Sequence, residues 1–178
     1  MKPIGAMTQA ELAAYVQSYL RDKGIELVLS GGATVAIYCE NRYVSRDLDL
    51  INLYSAKRQV IKRAMEEIGF LEVGRHFKHP DTEFLVEFPP GPLSVGVEPV
   101  GRIDEIQLET GSLKIISPTD CVKDRLSAYY HWGDQQCLLQ VIMVIEMHPI
   151  DIAEVRRWSK VEGKLEEFNR ILPRLRHA

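Results

Sequence analysis

The sequence places Ser30-Gly31-Gly32 shortly before Ser45-Arg46-Asp47-Leu48-Asp49, with Arg42 between them. A Gly-Gly turn leading into a helix leaves backbone N–H groups unobstructed beside the positive helix end, and both suit a phosphate. Two aspartates at i and i+2 on a strand put both carboxylates on one face. Hard oxygen donors in that arrangement suit magnesium or manganese. A phosphate turn followed closely by a metal-binding strand is what transfer of a nucleoside monophosphate needs. The metal bridges the triphosphate and offsets charge as the bond to the α-phosphate changes hands. Each piece also has a plainer use: a Gly-Gly pair is commonly a tight turn, and an Asp-x-Asp strand is commonly a solvated face. The order of the pieces favours chemistry. So does a strand whose other face reads as Leu48, Leu50 and Ile51, where paired like charges need a reason. Arg42 and Arg46 are nearby cations for the carboxylates or for phosphate.

The surrounding pattern supplies elements to position these residues. Thr8 and Glu11 form a capping box, and Leu12, Tyr15, Val16, Tyr19 and Leu20 recur at helical spacing until Gly24. Residues 25–29 read as a buried strand and 33–39 as a short apolar helix, so strand, glycine turn and helix form the first unit. Residues 47–53 read as a strand and 55–68 as a helix stopped by Gly69. Residues 71–77 and 83–88 flank His79-Pro80-Asp81-Thr82 and predict a hairpin. Residues 103–108 and 112–116 predict a second. Ser117-Pro118 opens a helical region as N-cap and first helical residue, with interruptions at Gly133, Pro149 and Pro173. The expectation is one α+β domain over 1–178, with an α/β body over 1–117 and a helical part over 118–178.

Composition bounds the function classes. The chain has 178 residues, 46% of them hydrophobic and 26% charged, which suits one globular domain. A net charge of -3 predicts no general nucleic-acid binding. Cys39, Cys121 and Cys137 lack metal-ligand spacing and read as reduced thiols of a cytoplasmic protein. His76 and His79 read as neighbours through a turn rather than a metal pair. The apolar run around 137–147 is too short for a bilayer, and the N-terminus lacks a signal-peptide core. Tyr129-Tyr130-His131-Trp132 reads as packing at a helix end, with base stacking as the other use.

Leu29-Ser30-Gly31-Gly32-Ala33, Arg42 and Ser45-Arg46-Asp47-Leu48-Asp49-Leu50 resemble the signature of the nucleotidyltransferases of the DNA polymerase β type. The chain looks most like their small bacterial members, including the AbiEii-like toxin group, over roughly residues 25–139. The resemblance implies a mixed-sheet nucleotidyltransferase core with flanking helices. It also implies that Ser30, Gly31 and Gly32 hold a nucleoside triphosphate and that Asp47 and Asp49 hold magnesium, or manganese, with a third carboxylate on a later strand. Glu87 is the candidate, because an acidic residue in the apolar run 84–88 is costly unless paired with a metal or cation. Glu83 shares its face but lies nearer the turn and reads as solvated. The family more often has Asp at the third position, so Glu87 is a departure. The stretch from Ser117 to Ala128 is similar to a helix of AbiEii-like proteins, with Arg125 where a lysine usually stands. That implies a phosphate contact for Arg125 and, less directly, Lys123; an amphipathic helix with exposed charges is the other reading. Asp134 reads as an N-cap. The function so implied is metal-dependent transfer of a nucleoside monophosphate from a nucleoside triphosphate to an unidentified hydroxyl acceptor. The alternative is a degenerate nucleotide-binding or toxin–antitoxin-type regulatory module with a protein partner.

Overall fold

Thr8 caps the first helix from both sides: Glu11 N–H donates to its hydroxyl at 3.3 Å, and its own N–H donates to the Glu11 carboxylate at 2.7 Å. This helix, α1 (Gln9–Arg21), buries Leu12, Val16 and Leu20 and packs against the sheet, chiefly on the strand over residues 111–116. The computed structural model describes residues 2–40 and 42–176, the last in its backbone only. After α1 come β1 (Leu27–Ser30), α2 (Gly32–Tyr38), β2 (Asp47–Asn52), α3 (Arg58–Glu67), β3 (Leu71–Val73), β4 (His76–Lys78) and β5 (Leu85–Glu87). Two short strands, β6 (Ser94–Val95) and β7 (Glu98–Pro99), precede β8 (Ile103–Leu108) and β9 (Gly111–Ile116). The chain ends in α4 (Pro118–Trp132), α5 (Gln135–Met147), α6 (Ile152–Val161) and α7 (Leu165–Arg176).

The main sheet is mixed and has the order β3-β4-β5-β2-β1-β9-β8, while β6 and β7 pair separately. Strand β2 runs antiparallel to β1 and parallel to β5. The architecture is therefore the α+β class with a helical C-terminal part that the sequence predicts. Among the described residues no helix is long and apolar enough to cross a membrane.

Three expectations need correction. Residues 71–77 are not one strand: the chain turns at Gly74, which takes φ +64°, so β3 and β4 form their own hairpin. Strand β4 then pairs with β5 across a loop longer than the four-residue turn, because His79 packs on Phe70 and the Leu85 N–H reaches across to Arg46 carbonyl oxygen. Pro173 does not interrupt α7. It is exposed, and its lost hydrogen bond falls on the exposed Asn169, while Ile171 and Leu175 on the buried face hold the helix in the core. The break occurs earlier, at Gly163 with φ +70°. Finally, Ile51 shares the face of Asp47 and Asp49, as strict alternation requires, and the buried face of β2 is Leu48, Leu50 and Asn52.

Candidate active site

Strand pairing brings the polar residues into one row. Ser30 of β1 is the register partner of Asp49 of β2, Asp49 the partner of Glu87 of β5, and Glu87 the partner of His76 of β4. Register partners project to the same side of a sheet. The row therefore crosses four strands on one face, with Asp47 two residues along β2 from Asp49 and on the same side. This face forms the floor of a cleft of about 500 Å³, whose lining includes Ser30, Gly31, Asp47, Asp49 and Glu87.

Gly31 is required where it stands. It has φ +72°, and a Cβ there would collide with the Asp49 carboxylate, lying 3.0 Å from its Cγ. The missing side chain lets Asp49 lie directly against the turn. Thr34 Oγ1 donates to the Gly31 carbonyl oxygen at 2.6 Å and closes the first turn of α2. The leading N–H groups of that turn have no acceptor within the helix. Gly32 faces away from the cleft, where a Cβ would meet Ser45 Oγ at 3.2 Å.

Burial, then the Glu87 charge, then that of Asp47, pushes the Asp49 carboxyl up to about 6. Two side chains stand against Glu87: Arg75 Nε and His76 Nε2 are each 3.4 Å from its Oε2. His76 Nε2 is also 3.9 Å from Asp47 Oδ1.

The far wall comes from α4. Ser117 accepts the Asp120 N–H as N-cap. One turn on, Cys121 Sγ lies 3.1 Å from Thr34 Oγ1, which joins α4 to the first turn of α2. Burial pushes that thiol up to about 12, so Cys121 is a strut and not a nucleophile. The next turn presents Asp124 and Arg125 to the cleft. Arg125 Nε donates to Asp124 Oδ2 at 3.0 Å. Burial opposes the guanidinium charge, but Asp124 beside it more than offsets this and holds the pKa above the usual arginine range.

The structure thus brings together Ser30, Gly31, Asp47, Asp49, Glu87 and Arg125. Arg42 and Arg46 do not join them. Arg42 pairs with Glu146 of α5 at 2.8 Å, and the exposed Arg46 pairs with Glu83 at 3.1 Å. Lys123 is buried between Asp120 and Glu154, at 3.2 and 2.7 Å, and cannot reach the cleft. Asp134 caps α5 by accepting the Gln136 and Cys137 N–H groups. Tyr130 stacks on Trp158 in the core, whereas Trp132 is exposed. His79 is separated from His76 and packs on Phe70.

Sequence reasoning missed Asp124, Arg75 and His76. Helical phase was a usable signal for Asp124, because Asp124 and Arg125 both lie about one turn after Cys121. His76 had no comparable signal: a four-residue turn at 79–82 would pair it with Leu85 instead of Glu87.

The fold has solved counterparts. An antigenic nucleotidyltransferase-like protein from Paracoccidioides brasiliensis superposes with a TM-score of 0.65 at 13% identity, covering 94% of this chain and 92% of that one. The crystal structure of ANT(2")-Ia in complex with adenylyl-2"-tobramycin gives 0.53 at 15% identity, covering 97% and 100%. The solution structure of the antibiotic-resistance factor ANT(2")-Ia gives 0.51 at 13% identity, covering 92% of each chain. At these identities the likeness establishes the nucleotidyltransferase-like fold. No family model matches the chain, and no curated protein matches it.

Proposed function

We propose that this chain is a metal-dependent nucleotidyltransferase that moves a nucleoside monophosphate from a nucleoside triphosphate to a hydroxyl acceptor. The observation that carries the reading is the register of Asp47, Asp49 and Glu87 on adjacent parallel strands beneath the Gly31 turn. Among the described residues no three His, Cys, Asp or Glu side chains stand tightly enough to enclose an ion as they are. The donor set nonetheless fits a divalent cation: it is made of hard oxygens, and burial, then the charges of Glu87 and Asp47, leave the Asp49 carboxylate in need of a counter-charge. Asp47, Asp49 and Glu87 would hold magnesium or manganese. When bound, the metal supplies charge compensation for the triphosphate and for the leaving pyrophosphate.

The remaining work falls to this chain's own groups. Ser30, Gly31 and the N–H groups leading into α2 cradle the β- and γ-phosphates. Arg125, aligned by Asp124, faces the same phosphates from the opposite wall. Glu87 receives the acceptor's proton as its oxygen bonds to the α-phosphorus and the bond to pyrophosphate breaks. The nucleotidylated product held by ANT(2")-Ia supports a hydroxyl as the acceptor class. The free, buried cysteines fit a reducing compartment, so the proposed location is cytoplasmic. Within the fold, the motif resemblance favours the AbiEii-like group.

A second reading has its own support. Glu87 is already engaged by Arg75 and His76, as expected of a degenerate site that binds nucleotide without transferring it. Such a module would act through a protein partner, in the manner of a toxin–antitoxin pair. The test separating the two is incubation with α-labelled nucleoside triphosphates, magnesium or manganese, and pooled small hydroxyl compounds. Label in a new covalent product, lost in Asp47→Asn, supports the enzyme. Metal-dependent nucleotide binding with no product and no pyrophosphate release supports the module.

A further inference from the structure

We infer that His76 is an additional ligand of the proposed metal site, and that it shifts the site's preference from magnesium toward transition-metal ions such as manganese and cobalt. The inference rests on the metal-binding reading above and names a residue that neither the carboxylate motif nor the glycine turn supplies.

The geometry starts with the sheet. His76 is the direct register partner of Glu87, which in turn partners Asp49, so its side chain rises from the same face. Its Nε2 stands 3.4 Å from Glu87 Oε2 and 3.9 Å from Asp47 Oδ1. Ligand atoms about 2.1 Å from one ion lie about 3.0 Å apart at neighbouring octahedral corners and about 3.4 Å apart at tetrahedral ones. Against the octahedral spacing that magnesium and manganese favour, the imidazole nitrogen is about 0.4 Å too far from Glu87 and about 0.9 Å too far from Asp47, so each carboxylate needs to move by less than about 1 Å. The neighbouring Phe77 is fully buried, which anchors β4 and holds His76 to the cleft side.

Arg75 competes for this position. Its Nε lies 3.4 Å from both Glu87 Oε2 and His76 Nε2. Its side chain is 72% exposed at the end of the β3–β4 turn, so it can swing into solvent without disturbing the core. His76 is 20% exposed and has no such freedom. A divalent cation can therefore replace the guanidinium as the neighbour of Glu87 and His76.

The chemical consequence is selectivity. Magnesium takes oxygen ligands and holds its waters tightly, so a neutral imidazole adds little to its binding. Imidazole binds manganese and, more strongly, cobalt, following the general affinity order of first-row ions. A site of carboxylates alone lacks this source of discrimination.

The test is calorimetric titration of the metal-free protein with magnesium, manganese and cobalt, with the visible absorption of bound cobalt recorded alongside. It uses the wild type, His76→Gln and Asp49→Asn, with His76→Asn as a second replacement in case the first misfolds. The expected result is cobalt affinity at least tenfold above magnesium in the wild type. Both His76 replacements should lose about tenfold or more of the cobalt affinity, alter the cobalt spectrum, and leave magnesium affinity within about twofold. Equal cobalt affinity and an unchanged spectrum in folded His76→Gln would overturn the role of His76 while leaving the carboxylate site standing. Absence of metal binding in the wild type, or full binding by Asp49→Asn, would overturn both.

Discussion

Asp49 is where the conflict between fold and function is sharpest. Its carboxyl is pushed up to about 6 from an ordinary 3.8, by burial and then by Glu87 and Asp47. The folded chain then holds this proton more tightly than the unfolded chain. The group's contribution to stability is full at low pH and is lost as pH rises from about 4 through about 6. Metal-free protein should lose about 1–2 kcal/mol from this source over that window, after allowing for the water that still reaches the group. Asp49→Asn removes the penalty and should raise the metal-free melting temperature at pH 7.5 by roughly 2–6 °C. It should also abolish nucleotide binding that depends on magnesium. Thermal melts of both proteins from pH 4.5 to 7.5 check the sign; a mutant that melts lower at pH 7.5 would place Asp49 among the structural carboxylates. Glu87→Gln should separate binding from chemistry. Nucleotide affinity should stay within a few-fold, while pyrophosphate release falls about a hundredfold or more, because proton acceptance acts on the transition state. The pairing of Asp47 with Asp49 was legible in the sequence because period two is a local rule. The Glu87–His76 pairing was not, because it depends on a loop length set by the packing of His79 on Phe70, which no period or turn rule supplies.

Helix α4 shows how one element serves structure on one side and the cleft on the other. Lys123 faces inward between Asp120 and Glu154, while Asp124 and Arg125 face the cleft. The two basic residues should therefore differ in what their loss does to nucleotide binding. Lys123→Ala leaves Asp120 buried without its cation and should cost about 3 kcal/mol of stability, with nucleotide affinity unchanged in the folded fraction. Arg125→Ala leaves the partly buried Asp124 without its cation and should cost about 1–2 kcal/mol. Unlike Lys123→Ala, it should also weaken triphosphate affinity about tenfold or more in the folded fraction, as expected for loss of a charge-assisted contact. Urea titrations and equilibrium nucleotide binding on the two variants check this; an Arg125→Ala protein with wild-type affinity would remove α4 from the site. Most elements were readable for local reasons, such as the capping box on α1, the Ser117-Pro118 start of α4 and the β8–β9 hairpin. The β3–β4 turn was not, because the run 71–77 is continuously strand-like apart from Gly74, and the turn is decided by packing on neighbouring strands. Pro173 misled for the converse reason: a local rule was overridden by the core contacts of Ile171 and Leu175.

At the scale of the molecule, the sheet order makes the site. The chain runs from β1 to β2, crosses by α3 to the edge strand β3, steps back inward through β4 to β5, and then builds the other side of β1 with β8 and β9. That excursion leaves three carboxylates on adjacent strands and delivers α4 opposite them. The motif spacing in the sequence announced the carboxylates, but the topology that opposes them to Arg125 appears only in the folded chain. The most direct test of the account is equilibrium binding of each of the four common nucleoside triphosphates, with and without magnesium or manganese. It compares the wild type with the double variant Asp47→Asn, Asp49→Asn. The account predicts that at least one triphosphate binds the wild type only when metal is present, and that the double variant folds but does not bind it. Binding that is independent of metal, or unchanged in the folded double variant, or absent for all four triphosphates with either metal, would contradict it.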